Sequence, residues 1–200
     1  MPQTTPVSKR ICLLTGPPGC GKTTLLSRLV PQLSGVHLTG FLTEEIHEQG
    51  KRMGFMARGF NGQSCVLAHR RIRSSWRVGA YGVDVPGFEK NLAGLIHMGD
   101  ETDGLFVIDE IGKMELLSSR FRAIVTRIAA DRHLLLATIP AVPPPFVQQL
   151  TARPDACVVL MEPLRRAEAA SRVAAWCIEH GLGGPVLQQW AAAYDSQARV

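Results

Sequence analysis

The chain has 200 residues, 46% hydrophobic and 20% charged, which suits one folded domain with a sizeable core and excludes a disordered or low-complexity class. It carries 22 basic and 17 acidic residues, a net charge of +5. That excess suits polyanions, nucleotides among them, without establishing nucleic-acid binding. Five cysteines at 12, 20, 65, 157 and 177, with no C-x-x-C pair, exclude a disulfide framework and a zinc site.

In chain order, residues 1–9 are polar with Pro2 and Pro6 and read as a flexible N-terminus. The apolar run Ile11–Leu14 predicts a buried strand in which Cys12 is a small core residue. A helix then runs to about Val30, with Leu25, Leu26 and Leu29 on one face and Pro31 as its stop. A second strand is expected over Val36–Thr43, ending in the carboxylates Glu44 and Glu45. Residues 50–80 read as a hairpin insertion, punctuated by Gly50, Gly54 and Gly59, with Asn61-Gly62 as the two-residue turn signal.

The segment 70–77, RRIRSSWR, is the densest basic cluster. It reads either as a strand edge whose charges discourage pairing or as a gripping surface for single-stranded nucleic acid. The edge reading is preferred because no second basic and aromatic cluster extends a track. One of its arginines could also serve a bound triphosphate.

Tyr81–Val85 precedes a helix opened by Pro86 and carrying Phe88, Leu92, Leu95 and Ile96. Past the polar loop 99–104, LFVIDE (105–110) reads as a central parallel strand covered on both faces. There follow a helix over 118–130, the strand 134–140, a proline-rich turn, a short helix near 146–150, a strand over 157–160 and a long helix over 163–180. Gly181, Gly183 and Gly184 close that helix, and the tail from Trp190 is a further short helix. This alternation predicts a single α/β domain over 1–200 with a mainly parallel, doubly wound sheet.

Thr15–Thr24 reads TGPPGCGKTT and satisfies G-x-x-x-x-G-K-[ST], lying between the first strand and the first helix. In such a loop the backbone amides of Gly16, Pro17, Pro18, Gly19, Cys20, Gly21, Lys22, Thr23 and Thr24 (the prolines contributing only shape) cradle phosphate oxygens. The following helix N-terminus adds free N–H groups. Lys22 brings a point charge to the outer phosphates, and the Thr23 hydroxyl suits Mg²⁺. A thiol role for Cys20 is the lesser reading there.

The second half of the site is expected at the end of LFVIDE. Asp109 is the acid that holds Mg²⁺ together with Thr23, and Glu110, one position further, is placed to orient or deprotonate an attacking water. Thr138 either senses a γ-phosphate or only finishes its strand. Lys113 reads either as pairing a carboxylate or phosphate or, equally well, as half of a surface pair with Glu115; Glu44 and Glu45 read as touching magnesium-bound water or substrate or, the preferred reading, as solvated loop acids on the catalytic edge. The six histidines show no metal-ligand spacing.

GPPGCGKTTL, GFLTEEI followed by GKRMGF, RVGAYGVD, LFVIDEIGKMEL and ATIP stand in the order found in the small P-loop nucleoside-triphosphatases. The chain resembles that family, which includes the cancer-related nucleoside-triphosphatase and its archaeal and bacterial relatives, over about residues 10–160. The resemblance implies a three-layer, RecA-like domain that hydrolyses ATP, GTP and other nucleoside triphosphates to diphosphate and phosphate with Mg²⁺. Carried over by motif, the loop 16–24 and Asp109 bind nucleotide, Thr23 and Asp109 serve the metal, and Glu110 and Lys22 are catalytic.

Two departures stand out. Ala80 replaces a basic residue common in relatives, and PLRRAEAA stands where an Asn-Arg signature is common, leaving open whether Arg165 and Arg166 serve the base or the phosphates. No arginine finger is identified, and since such a group is worth ~10³–10⁵ in turnover, a modest rate is expected. A nucleoside or nucleotide kinase and an NTP-driven nucleic-acid switch are the alternative readings. A cytoplasmic location without membrane association is expected from the lack of a signal region or a spanning run, and a monomer is the expected state.

Overall fold

A computed structural model describes residues 7–33, 35–98 and 104–194. The expected lead-in over 1–6, most of the polar loop at 99–104 and the end of the tail over 195–200 lie outside the described residues.

The four apolar side chains Ile11–Leu14 are fully buried and alternate between the two faces of a sheet, which fixes β1 (Ile11–Gly16) at the centre of the molecule. β8 (Leu134–Pro140) and β9 (Ala156–Leu160) flank it in parallel. Beyond β8 lies β7 (Leu105–Ile108), then β2 (Leu38–Glu48), both again parallel to their neighbours. All five therefore point their C-terminal ends to one edge, where α/β folds carry their ligands.

On the far side of β2 the sheet continues antiparallel through β3 (Lys51–Gly59), β4 (Ser64–His69), β6 (Tyr81–Val83) and β5 (Arg77–Val78). The full order is β5-β6-β4-β3-β2-β7-β8-β1-β9, so the hairpin strands extend the central sheet and make it mixed. β2 runs five residues beyond the expected Thr43. Its parallel neighbour stops at Ile108, opposite Phe41, but β3 carries the ladder on to Glu48 opposite Lys51.

The two-residue turn is Gln49-Gly50, with φ of 49° and 74°, the backbone that matches the right-handed strand twist. Asn61-Gly62 instead lies in a four-residue loop. There the Gly59 N–H donates to the Gln63 carbonyl at 2.8 Å, and the Asn61 amide ties the loop to Gly94 of the next helix, also at 2.8 Å.

Helices cover both faces. α1 (Lys22–Leu29), α5 (Arg166–Glu179) and α6 (Pro185–Ala192) pack on one side against Cys12, Leu14, Val107 and Leu136. α2 (Val85–Leu95), α3 (Ser119–Ala130) and α4 (Pro145–Thr151) cover the other against Leu13, Phe41, Ile108 and Ala137. Caps fix where α2 and α3 begin: Asp84 accepts from the Gly87 N–H at 3.0 Å and Ser118 from the Phe121 N–H at 2.9 Å. Pro31 ends α1 as expected, and a 3₁₀ turn, Val30–Gln32, takes the chain on.

Candidate active site

The phosphate loop leaves β1 at Gly16 and enters α1 at Gly21, whose φ of 105° is a left-handed conformation open to glycine. Gly16 is required for a different reason. A Cβ there would fall 2.3 Å from the Met161 carbonyl oxygen and 2.8 Å from Cys20 Sγ, so the loop can close only over a bare backbone. Cys20 is buried and its N–H donates to the Pro17 carbonyl at 3.2 Å; its sulfur is packing inside the loop. Lys22 folds back over this turn, donating from Nζ to the Gly16 carbonyl at 3.0 Å, with Glu110 Oε2 3.9 Å away.

β7 delivers Asp109 to the same edge. The Asp109 N–H is held by the Phe41 carbonyl at 3.0 Å, and its own carbonyl accepts from the Thr43 hydroxyl. Its carboxyl is buried, with Oδ1 accepting from the Thr138 hydroxyl at 2.5 Å and Oδ2 buried without a partner. Burial pushes the Asp109 carboxyl above its ordinary pKa, and the Thr138 and Thr23 hydroxyls, the Thr43 backbone and the Lys22 charge work against that rise.

An unsatisfied carboxylate oxygen with the Thr23 hydroxyl acting on the same carboxyl is a hard-oxygen donor pair, and that suits Mg²⁺ rather than a soft metal. Among the described residues no group of three or more His, Cys, Asp or Glu forms a metal cluster. An ion here would draw its remaining ligands from phosphate and water, which is the usual habit of Mg²⁺.

Glu110 differs from its neighbour in exposure. Its side chain is 33% accessible, so solvent water reaches it. Desolvation raises its pKa, Lys22 opposes the rise and Asp109 adds to it. Thr138 is fully buried and donates to Asp109, so its hydroxyl supports the acid from within.

Glu115 corrects the reading of a surface pair. Lys113 is exposed, but Glu115 is buried in the 3₁₀ turn Glu115–Leu117 and accepts from the Gly112 N–H at 3.1 Å. Burial pushes its pKa up to about 8. Gly112 separates the two carboxylates: a Cβ on it would lie 2.5 Å from Glu110 Oε1 and 3.0 Å from Glu115 Oε2. The sequence did carry a signal, since Glu115 stands between Met114 and Leu116-Leu117, a setting that buries an acid more readily than a solvated loop does.

Glu44 and Glu45 lie within β2 rather than at a strand tip. They pair with Arg58 at 2.7 Å and Arg52 at 2.5 Å on the adjacent β3. Residues 70–76 form the connection between β4 and β5, and only Arg77 lies in a strand, at the outer edge of the sheet. Arg71 pairs with Glu48, Arg70 lies 5.4 Å over the Tyr81 ring, and Trp76 is partly exposed. β5 is seven strand positions from β1, roughly 34 Å along the sheet at about 4.8 Å per strand. A cluster at that remove fits the edge reading and does not line the phosphate loop.

A phosphate loop at the end of a central parallel strand, with a buried acid and an accessible one at the end of the parallel strand next but one, defines the class of P-loop nucleoside-triphosphatases. A family model described as NTPase matches residues 11–174, and the chain belongs to that family.

It is 40% identical over 150 residues to the nucleoside-triphosphatase THEP1 of Thermotoga sp. (strain RQ2), spanning 75% of this chain and 84% of that protein. To the cancer-related nucleoside-triphosphatase of Homo sapiens it is 36% identical over 161 residues, spanning 73% and 85%. Among solved structures, THEP1 from the hyperthermophile Aquifex aeolicus superposes with a TM-score of 0.70 at 33% identity, covering 78% of this chain and 91% of that one. The solution structure of the human cancer-related nucleoside triphosphatase gives 0.71 at 33% identity, covering 85% and 97%.

The chain is thus a nucleoside-triphosphatase with the α/β, RecA-like fold that its motifs imply. No helix among the described residues is long and apolar enough to cross a membrane.

Proposed function

We propose that this enzyme hydrolyses nucleoside triphosphates to diphosphate and phosphate in a Mg²⁺-dependent reaction, with Glu110 handling the water and with broad tolerance of the base. The observation that carries this reading is the contrast between adjacent carboxylates: Asp109 is buried with one oxygen unpartnered, while Glu110 is one-third exposed beside Lys22.

Asp109 and Thr23 would hold the ion, which neutralises charge on the outer phosphate oxygens when bound. Lys22, resting between the Gly16 carbonyl and Glu110, has a flexible stem and moves its charge onto the phosphates as they enter. That leaves Glu110 without its cation and facing solvent. A water oxygen then attacks the γ-phosphorus, its proton passes to the Glu110 carboxylate, and the bond from the γ-phosphorus to the bridging oxygen breaks with the diphosphate leaving. Desolvation raises the basicity of Glu110, which suits it to take the proton.

The names of the relatives specify a nucleoside triphosphate without a base, which supports broad base tolerance. Every group invoked comes from one chain, so we take the monomer as the working unit. The hairpin strands share the central sheet, and we read the whole as one domain.

The test is product analysis with γ-labelled triphosphate, Mg²⁺ and no acceptor. Equal amounts of diphosphate and free phosphate are expected. Label appearing only on an added nucleoside or nucleotide would assign the site to a kinase instead.

A further inference from the structure

α5 starts at Arg166, and the segment before it leans on the phosphate loop. The Met161 N–H donates to the Thr15 carbonyl at 2.7 Å, holding the chain after β9 against the end of β1. A Cβ on Gly21 would lie 3.4 Å from Met161 Cε and 3.9 Å from Arg166 Nε. The guanidinium of Arg166 therefore rests against the last glycine of the loop, where α1 begins. Its Nε is buried and has no hydrogen-bond partner, and Arg166 makes no ion pair among the described residues.

The neighbouring arginine is different in every respect. Arg165 is two-thirds exposed and pairs with Glu168 at 3.2 Å and with Glu162 at 4.0 Å. The acids of this turn are thus engaged by Arg165, and Arg166 is left as a half-buried cation without a counter-charge. Such a group is costly unless an anion completes it. The loop it touches is built to receive one.

The sheet order sets Arg166 and the acids on opposite sides of β1. Asp109, Glu110 and Thr138 come to the loop from β7 and β8, on one side of β1. Arg166 comes from the end of β9, on the other. The attacked phosphate belongs to the side of the metal acid and the water-handling acid, so the opposite flank faces the phosphates that stay with the nucleoside.

We propose that Arg166 is a nucleotide-binding residue that grips the diphosphate portion shared by substrate and product, and not a finger on the transferred phosphate. The inference rests on the hydrolase reading for the direction of attack but not for binding itself. Arg166 would act mainly on affinity, holding nucleoside diphosphate as firmly as triphosphate.

The test is calorimetric binding of ADP, CDP and a non-hydrolysable ATP analogue to the full chain, alongside steady-state hydrolysis, for wild type, Arg166→Ala, Arg166→Lys and Arg165→Ala. A guanidinium bonded to phosphate is worth roughly tenfold to a hundredfold in affinity. Arg166→Ala is expected to weaken ADP and the ATP analogue by the same factor and to raise KM with kcat nearly unchanged. Lysine should rescue part of the loss, and Arg165→Ala should match wild type. Thermal melts verify folding, and the lysine variant carries the test if alanine does not fold.

Several results would overturn the proposal: unchanged ADP affinity in Arg166→Ala, a fall in kcat with KM intact, or an altered ratio between purine and pyrimidine nucleotides, which would mark a stacking role on the base. Wild type that binds ADP through Arg166 yet releases no phosphate from ATP would uphold this proposal while the hydrolase reading fails.

Discussion

Asp109 Oδ2 and Arg166 Nε are both buried polar atoms without partners, and they flank the phosphate loop from opposite sides. Each costs about 1–3 kcal/mol or more when left unsatisfied in the folded chain. In the proposed reading each is completed by a ligand, a metal on one flank and phosphate on the other.

Glu115 is buried too, but it has a partner in the Gly112 N–H. With its pKa at about 8 against 4.5 in the unfolded chain, the folded protein holds a proton between those values that the unfolded chain has lost. Stability therefore falls as pH rises from about 4.5 to about 8 and stays low above it. Glu115→Gln keeps the acceptor and removes the titration. Thermal melts at stepped pH should show a flatter profile for the variant and a gain over wild type above pH of about 8; identical slopes would mean that Glu115 is ionised in the folded state.

At the scale of elements, β2 does two jobs with one strand. Its first half pairs with β7 and helps seat Asp109 through Phe41 and Thr43, while its second half starts the antiparallel hairpins. Gly40 is where the parallel pairing is tightest. Its φ is 115°, and a Cβ would sit 2.0 Å from the Val107 carbonyl oxygen. Gly40→Ala should destabilise the fold by about 2 kcal/mol or more, read as a lowered denaturation midpoint, because both the backbone and the neighbouring strand must give way. A midpoint equal to wild type would contradict this.

The same strand shows where sequence reading stops. LFVIDE and the phosphate loop were legible because each is a local pattern, an apolar run followed at once by its functional residues. The length of β2 and the pairing of Glu44 and Glu45 were not, since both depend on a register with β3. The burial of Glu115 is not legible in the sequence because the 3₁₀ turn that buries it has no periodic signature. Arg166 could not be told from Arg165 by pattern. What separates them is a contact with Gly21, far back in the chain.

For the molecule as a whole, the parallel strands and the antiparallel strands of one sheet divide the work. The parallel strands and their flanking loops carry Lys22, Thr23, Asp109, Glu110 and Arg166 around a single edge. The hairpin side holds a lattice of Glu–Arg pairs and ends in the basic β4–β5 connection and Arg77. Much of the positive excess is thus distant from the nucleotide, and an account of catalysis does not need it. The measurement that tests this account most directly is phosphate release from a panel of nucleoside triphosphates with Mg²⁺, run beside nucleotide binding for wild type, Glu110→Ala and Lys22→Ala. Glu110→Ala should bind nucleotide like wild type but lose turnover by about a hundredfold or more. Lys22→Ala should lose binding as well. Undiminished phosphate release from Glu110→Ala would contradict the account at its centre.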